Sequence, residues 1–185
     1  MAQPATKRLT FEQFQEMNRD GRYELVDGEL EELVPPRPFH SWTGGRLRLD
    51  LGRYLDDHEP GAFWGVELDI PTIPFFGRRP DFAYYSTADA ARLDLAANRV
   101  LGVPTLVIEV VSAEDEARDT VTKREEYARA GIEHYWIVDP QRRTVLTLVR
   151  RGTAYEVAAE FSGDEILTSA LFPGLALPLA RLFRS

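Results

Sequence analysis

A glutamate in the middle of an apolar run is the first residue that asks for a chemical explanation. Glu109 sits within Thr105-Leu106-Val107-Ile108-Glu109-Val110-Val111, a pattern that reads as a strand buried on both faces. A carboxylate there is desolvated, which is costly unless it is paired or metal-bound. The plainer alternative is a strand-end glutamate that reaches solvent or an arginine, but an acid centred in an apolar strand favours a functional role. Asp81 follows Arg78-Arg79-Pro80 and opens Phe82-Ala83-Tyr84; alone it reads as an aspartate at a turn or strand start. Together, two acids at the ends of neighbouring strands present oxygen ligands to one point. That suits Mg²⁺, with Mn²⁺ as a substitute, because this class of ion takes few carboxylates and keeps several waters.

Other residues stand near enough in the sequence to join them. Lys123 falls in the helix expected after the Glu109 strand, with Tyr127 one turn later on the same face. A lysine on a helix is ordinarily a solvated charge. Here it is conspicuous because, of 22 basic residues, only Lys7 and Lys123 are lysines. Glu24 is out of phase with Tyr23 and Leu25, so it is either exposed or a further carboxylate facing the cleft. The histidines His40, His58 and His134 lack metal-ligand spacing, and only His40 lies beside a hairpin expected near the site. With no cysteine in the chain, thiolate metal sites, disulfides and cysteine nucleophiles are excluded. Gly44-Gly45 lacks the flanking pattern of a phosphate loop, and no serine sits in a nucleophile elbow.

The elements that must position these residues follow from periodicity and turn signals. Thr10 with Gln13 makes a capping box for a short helix carrying Phe11, Phe14 and Met17. Asp27-Gly28 between Tyr23–Val26 and Glu29–Val34 is the strongest hairpin signal in the chain, and Pro35, Pro36 and Pro38 end it. A helix is expected from about Ser41 to Asp57, with Leu47, Leu51, Tyr54 and Leu55 as its buried stripe. Strands are expected at Phe63–Ile70 and Asp81–Tyr85, with prolines making the segment between them an edge or loop, and residues 88–98 as a short helix or ordered loop. After the Glu109 strand come a helix from about Asp119 to Ala130, closed by Gly131, and a strand at Tyr135–Val138. Further strands are expected at Thr144–Val149 and Tyr155–Glu160, then a packed tail from Leu171 to Phe183. Thr105–Val111, the helix and Tyr135–Val138 form a right-handed βαβ candidate.

Composition bounds the rest. The 185 residues, 44% apolar and 28% charged, are ordinary for one globular domain spanning 1–185. No apolar run approaches the ~18 residues of a membrane span, and Met1–Thr10 has no apolar signal core, so a cytoplasmic protein without a membrane partner is expected. The net charge of −8 argues against a non-specific nucleic-acid coat, but not against a nucleic-acid enzyme whose acids hold metal ions.

Several runs resemble the Uma-type family of restriction endonuclease-like proteins, within the PD-(D/E)XK nuclease superfamily. They are Tyr23-Glu24-Leu25-Val26-Asp27-Gly28-Glu29-Leu30, Arg79-Pro80-Asp81, and Leu106-Val107-Ile108-Glu109-Val110-Val111-Ser112. Asp119, Lys123, Tyr127, Gly131, Tyr135-Trp136-Ile137-Val138-Asp139-Pro140 and Leu171-Phe172-Pro173-Gly174-Leu175 continue the match in order. The resemblance implies a restriction-endonuclease-like α/β core of α+β order: a mixed β-sheet flanked by helices, with an N-terminal helix and β-hairpin. It makes Asp81 and Glu109 the two motif acids and Glu24 a possible third. Val111 stands where the motif lysine belongs. The superfamily can relocate that lysine to the next helix, where Lys123 is this chain's candidate.

A Mg²⁺-dependent endonuclease acting on DNA is therefore expected, with Asp81 and Glu109 holding the metal, helped by the Val110 carbonyl and Glu24. Lys123 would orient the attacking water, with Tyr127 and His40 as auxiliaries and Arg78 and Arg79 as phosphate contacts. A homodimer is expected, because cutting both strands of a duplex takes two sites and two-fold pairs are the commonest oligomers. The alternative is a catalytically silent nucleic-acid-binding or assembly domain on the same fold. Convergence of Asp81, Glu109 and Lys123 would favour the enzyme; a solvent-facing Lys123 would favour the silent domain.

Overall fold

A computed structural model describes residues 8–17, 19–112 and 117–183. Thr10 and Gln13 form the capping box of α1 (Phe11–Glu16). β1 (Tyr23–Val26) and β2 (Glu29–Glu32) pair antiparallel. Asp27 and Gly28 between them have φ of 52° and 83°, as a two-residue type I′ turn requires. Glycine is doubly needed at 28, since an added Cβ would lie 2.5 Å from Arg8 Cβ.

α2 (Pro38–His58) begins three residues before the predicted start, with Pro38 in the first-turn position that proline tolerates. Leu47, Leu51 and Leu55 are buried as expected, while Tyr54 is half-buried and donates its hydroxyl to the Pro173 carbonyl. The strand expected over Phe63–Ile70 is broken. Glu67 has φ of 51°, which extended backbone does not allow, so β3 (Phe63–Gly65) and β4 (Ile70–Pro71) join different sheets. β5 (Gly77–Arg78) and β6 (Phe82–Tyr85) follow. Residues 88–98 hold one 3₁₀ turn and β7 (Leu93–Asp94), which pairs with β8 (Arg99–Val100).

β9 (Leu106–Val110) is buried at every residue. The next helix opens with a π-helical turn, Arg118–Thr122, and continues as α3 (Lys123–Ala130) to Gly131 in the left-handed conformation. β10 (His134–Asp139), β11 (Thr144–Arg151) and β12 (Ala154–Ser162) come next. The tail forms a hairpin of β13 (Ile166–Ser169) and β14 (Phe172–Pro178), then α4 (Leu179–Leu182).

The main sheet has the order β12-β11-β10-β9-β6-β3, with β9 and β10 parallel and central. The βαβ unit is therefore present, and the fold is a mixed sheet flanked by helices. Alternation along β9 divides the core. Leu106, Ile108 and Val110 face α2 and the tail, together with Trp136, Val138 and Phe172. Val107 and Val111 face α3 and the N-terminal elements, together with Tyr127, Tyr135, Phe14 and Leu25. Glu109 has the phase of the second set. A second sheet, β2-β1-β5-β4, carries Glu24 and Arg78. Among the described residues no helix is long and apolar enough to cross a membrane.

Candidate functional site

The C-terminal end of β9 opens into a cavity of about 320 Å³ whose walls include Glu24, His40, Asp81, Glu109, Asp119 and Lys123. They reach it from five places in the fold, Asp119 and Lys123 sharing one helix. Glu109 arrives through strand alternation, Asp81 stands immediately before β6, His40 lies in the first turn of α2, and Glu24 is on β1.

Glu109 is buried, and its Oε1 accepts two hydrogen bonds, from Lys123 Nζ at 2.9 Å and from Tyr127 Oη at 2.7 Å. Lys123 and Tyr127 lie one α-helical turn apart, so both side chains fall on the strand-facing side of α3. Lys123 Nζ also lies 3.1 Å from Asp119 Oδ1 and 3.6 Å from Glu24 Oε1. It is only 6% exposed, so it is a buried ammonium shared by three carboxylates. Those carboxylates outweigh the burial and raise its pKa.

Asp81 Oδ2 accepts the Val110 N–H at 2.7 Å and lies 3.3 Å from His40 Nε2. This bond pins the aspartate to the strand that carries Glu109. In a strand the N–H and C=O of one residue point to the same side, so the Val110 carbonyl is turned toward Asp81 as well. Burial lowers the His40 pKa, but the hydrogen bond and charge of Asp81 outweigh it and raise the value.

Behind this group lies a second set of buried charges. Glu24 is fully buried. Its Oε2 accepts from Arg78 Nη1 at 2.9 Å and Arg118 Nη2 at 2.5 Å, and its Oε1 accepts the Arg79 N–H at 3.1 Å. Burial would raise its pKa, yet Lys123, Arg78 and Arg118 hold it down at about 2. Arg78 also grips Glu126 through Nε and Nη2, at 3.0 Å, 3.1 Å and 2.6 Å. The phosphate contact expected of Arg78 therefore does not fit: its guanidinium is interior and serves to hold two carboxylates. Arg79 lines the cavity, but its fork is engaged with Asp69 at 2.7 Å and 2.9 Å.

The charge balance tests whether a metal suits the cavity. Burial raises the Glu109 pKa, and despite Lys123 the nearby Asp119, Asp81 and Glu24 keep it up at about 8. Glu24 is balanced by Arg78 and Arg118, so the charge that a hard cation would offset is that of Glu109 and Asp81. Among the described residues no group of three or more His, Cys, Asp or Glu side chains is arranged to chelate a metal. The donors present are two carboxylates and a turned carbonyl. That set suits an ion such as Mg²⁺ that completes its shell with water, and does not suit a Zn²⁺-type cage.

Asp81, Glu109, Lys123, Tyr127, His40 and Glu24 are thus brought together. Glu126 and Arg118 escaped the sequence reading. Glu126 looked like one more charge on a polar helix, adjacent to Tyr127. Arg118 lies five residues before Lys123, which on an α-helix is the wrong face.

A family model described as "Uma2: Putative restriction endonuclease" matches residues 10–180. No curated protein sequence matches the chain. Among solved structures, a putative nuclease belonging to DUF820 from Anabaena variabilis ATCC 29413 superposes with a TM-score of 0.75 at 19% identity, covering 95% of this chain and 97% of that one. At that identity the likeness concerns the fold alone.

Proposed function

The chain belongs to the Uma2 family of restriction endonuclease-like proteins, and from that premise we propose that it hydrolyses phosphodiester bonds of DNA with the help of Mg²⁺. The observation that carries the reading is the Lys123 ammonium 2.9 Å from Glu109, beside an Asp81 fixed to the next residue of the same strand.

Asp81, Glu109 and the Val110 carbonyl would hold the metal, with Glu24 bracing Lys123 from behind. A bound Mg²⁺ lowers the pKa of a coordinated water and neutralises charge on the scissile phosphate. Lys123 supplies the cation that Val111 cannot. From its place beside Glu109 it orients the attacking water and offsets the charge that builds on the phosphoryl oxygens. Tyr127, through its hydrogen bond to the shared Glu109 oxygen, keeps that carboxylate turned toward the cavity. His40 positions Asp81 and can return a proton to the leaving oxygen. Water adds across one P–O bond, leaving a phosphomonoester and a hydroxyl. A homodimer with one site per DNA strand, a cytoplasmic setting and a single domain over 1–185 belong to the same reading.

The test is nicking of supercoiled plasmid during titration with Mg²⁺ and Mn²⁺. Wild type should convert plasmid to open-circle and linear forms, and Glu109→Gln should not. Wild type that binds DNA yet leaves every metal series uncut would favour a silent binding domain instead.

A further inference from the structure

We infer that Arg118 is the phosphate anchor of the site, held in reserve on Glu24 until a DNA backbone enters. This assignment rests on the nuclease reading and extends it to a residue that neither the motif nor the sequence pattern marks.

The backbone supplies the first observation. The Lys123 N–H bonds the Arg118 carbonyl five residues back, within the π turn. In an α-helix residues five apart diverge by about 140° around the axis, and Arg118 would point away from the sheet. The i→i+5 bonding of a π turn brings such residues back to the same side of the helix, and π turns inside helices concentrate at functional sites. Here the turn places Arg118 on the same face as Lys123, with its guanidinium on the carboxylate that also contacts the lysine.

The second observation is the partner count at Glu24. One carboxylate faces three cations: Arg78 at 2.9 Å, Arg118 at 2.5 Å and Lys123 at 3.6 Å. Arg78 and Lys123 are 3% and 7% exposed at the side chain, whereas Arg118 is 28% exposed. If Arg118 leaves, Glu24 keeps Arg78, Lys123 and the Arg79 N–H, so no buried charge is orphaned. The other contact of Arg118, to Glu31 at 3.3 Å, is with a half-exposed carboxylate, and such pairs hold weakly. Arg118 is therefore a cation at the cavity wall whose present partners can spare it.

The third observation concerns the rival arginines. Arg78 is locked inside, Arg79 is forked onto Asp69, and Arg22, also on the cavity wall, is paired with Glu67 at 3.0 Å. A planar guanidinium that can swing free suits bidentate capture of a phosphodiester. DNA entering the cavity meets carboxylates, so a cation that moves from carboxylate to phosphate as the substrate arrives also lowers the repulsion.

The experiment measures binding of a fluorescein-labelled 20-base-pair DNA by anisotropy across a salt series, with Ca²⁺ replacing Mg²⁺ to hold off cleavage. Losing one phosphate contact should make the slope of log K against log salt shallower by about 0.9. Arg118→Ala should do this and weaken binding about tenfold. Arg118→Lys should restore the slope but not the full affinity. Glu31→Gln, which removes a competing carboxylate outside the cavity, should tighten binding by about twofold. Melting temperatures of all three variants check that each is folded. A wild type that binds while Arg118→Ala keeps its slope and affinity overturns the assignment alone. A wild type that binds no DNA overturns the nuclease reading, and this assignment with it.

Discussion

Replacing Arg78 by methionine should be among the most damaging substitutions in the protein, although the residue touches neither Glu109 nor Asp81. The change deletes three hydrogen bonds to Glu126 and one to Glu24. The two carboxylates are not left equally exposed to the loss. Glu24 retains Arg118, Lys123 and the Arg79 N–H. Among the described residues Glu126, 4% exposed, retains only the hydrogen bond from the Thr72 hydroxyl. Removing one partner of a buried ion pair costs about 3–5 kcal/mol, and here most of that falls on Glu126. For a chain of this length each kcal/mol moves the melting temperature by about 2–4 °C, so a fall of about 6–20 °C is expected. Adding Glu126→Gln to Arg78→Met removes the orphaned charge and should recover at least about 1.5 kcal/mol. Urea unfolding followed by tryptophan fluorescence, run as a double-mutant cycle at neutral pH, gives both numbers. A loss under about 1 kcal/mol for Arg78→Met, or strictly additive effects in the double variant, would refute this account of the buried charges.

Three further outcomes follow. Calorimetry with Mn²⁺ should detect binding to wild type that Asp81→Asn or Glu109→Gln removes, and metal should raise the melting temperature because only the folded chain binds it; equal heats from all three proteins would count against the site. Trp136 is 1% exposed on the central β10, so Trp136→Ala should lose about 3–5 kcal/mol in urea unfolding, and a loss below about 1 kcal/mol would contradict its place in the core. Burial lowers the His134 pKa below 6.5, against a smaller opposing effect of Glu133. The unfolded chain then binds more protons just below pH 6.5, and stability should fall as pH drops through that window; His134→Gln should flatten this part of the pH profile, and an unchanged profile would remove His134 as its source.

Glu109 was legible in the sequence because it breaks a local rule, and Asp81 only through its pairing with Glu109 and the motif it shares. Glu109 interrupts an apolar strand, and Val111 leaves the motif without its lysine, which leaves the next helix to supply it. The hairpin was legible because Asp27-Gly28 allows few other conformations. What stayed hidden depends on contacts between distant segments or on helix geometry that periodicity does not encode. β1 pairs with β5 across some fifty residues, and that pairing, rather than any local signal, carries Arg78 inward between Glu24 and Glu126. The split of Phe63–Ile70 into strands of two sheets turns on a single left-handed residue, Glu67, for which the side chain gives no warning. β13 was missed because Ile166–Ser169 is short and half-exposed. Arg118 was missed because α-helical spacing puts it on the wrong face, and only the π turn brings it round.

The central claim is that Lys123, rather than a lysine two residues after Glu109, completes the site with Asp81 and Glu109. It is tested most directly by plasmid cleavage with wild type and Lys123→Met side by side, under metal concentrations at which calorimetry shows both to be loaded. Losing a positioned charge of this kind lowers the rate by about 10²–10³, so the variant should leave the plasmid supercoiled over times in which wild type nicks it fully, and Lys123→Arg should recover little because a guanidinium fork does not replace a compact ammonium. Cleavage by metal-loaded Lys123→Met at the wild-type rate would contradict the account.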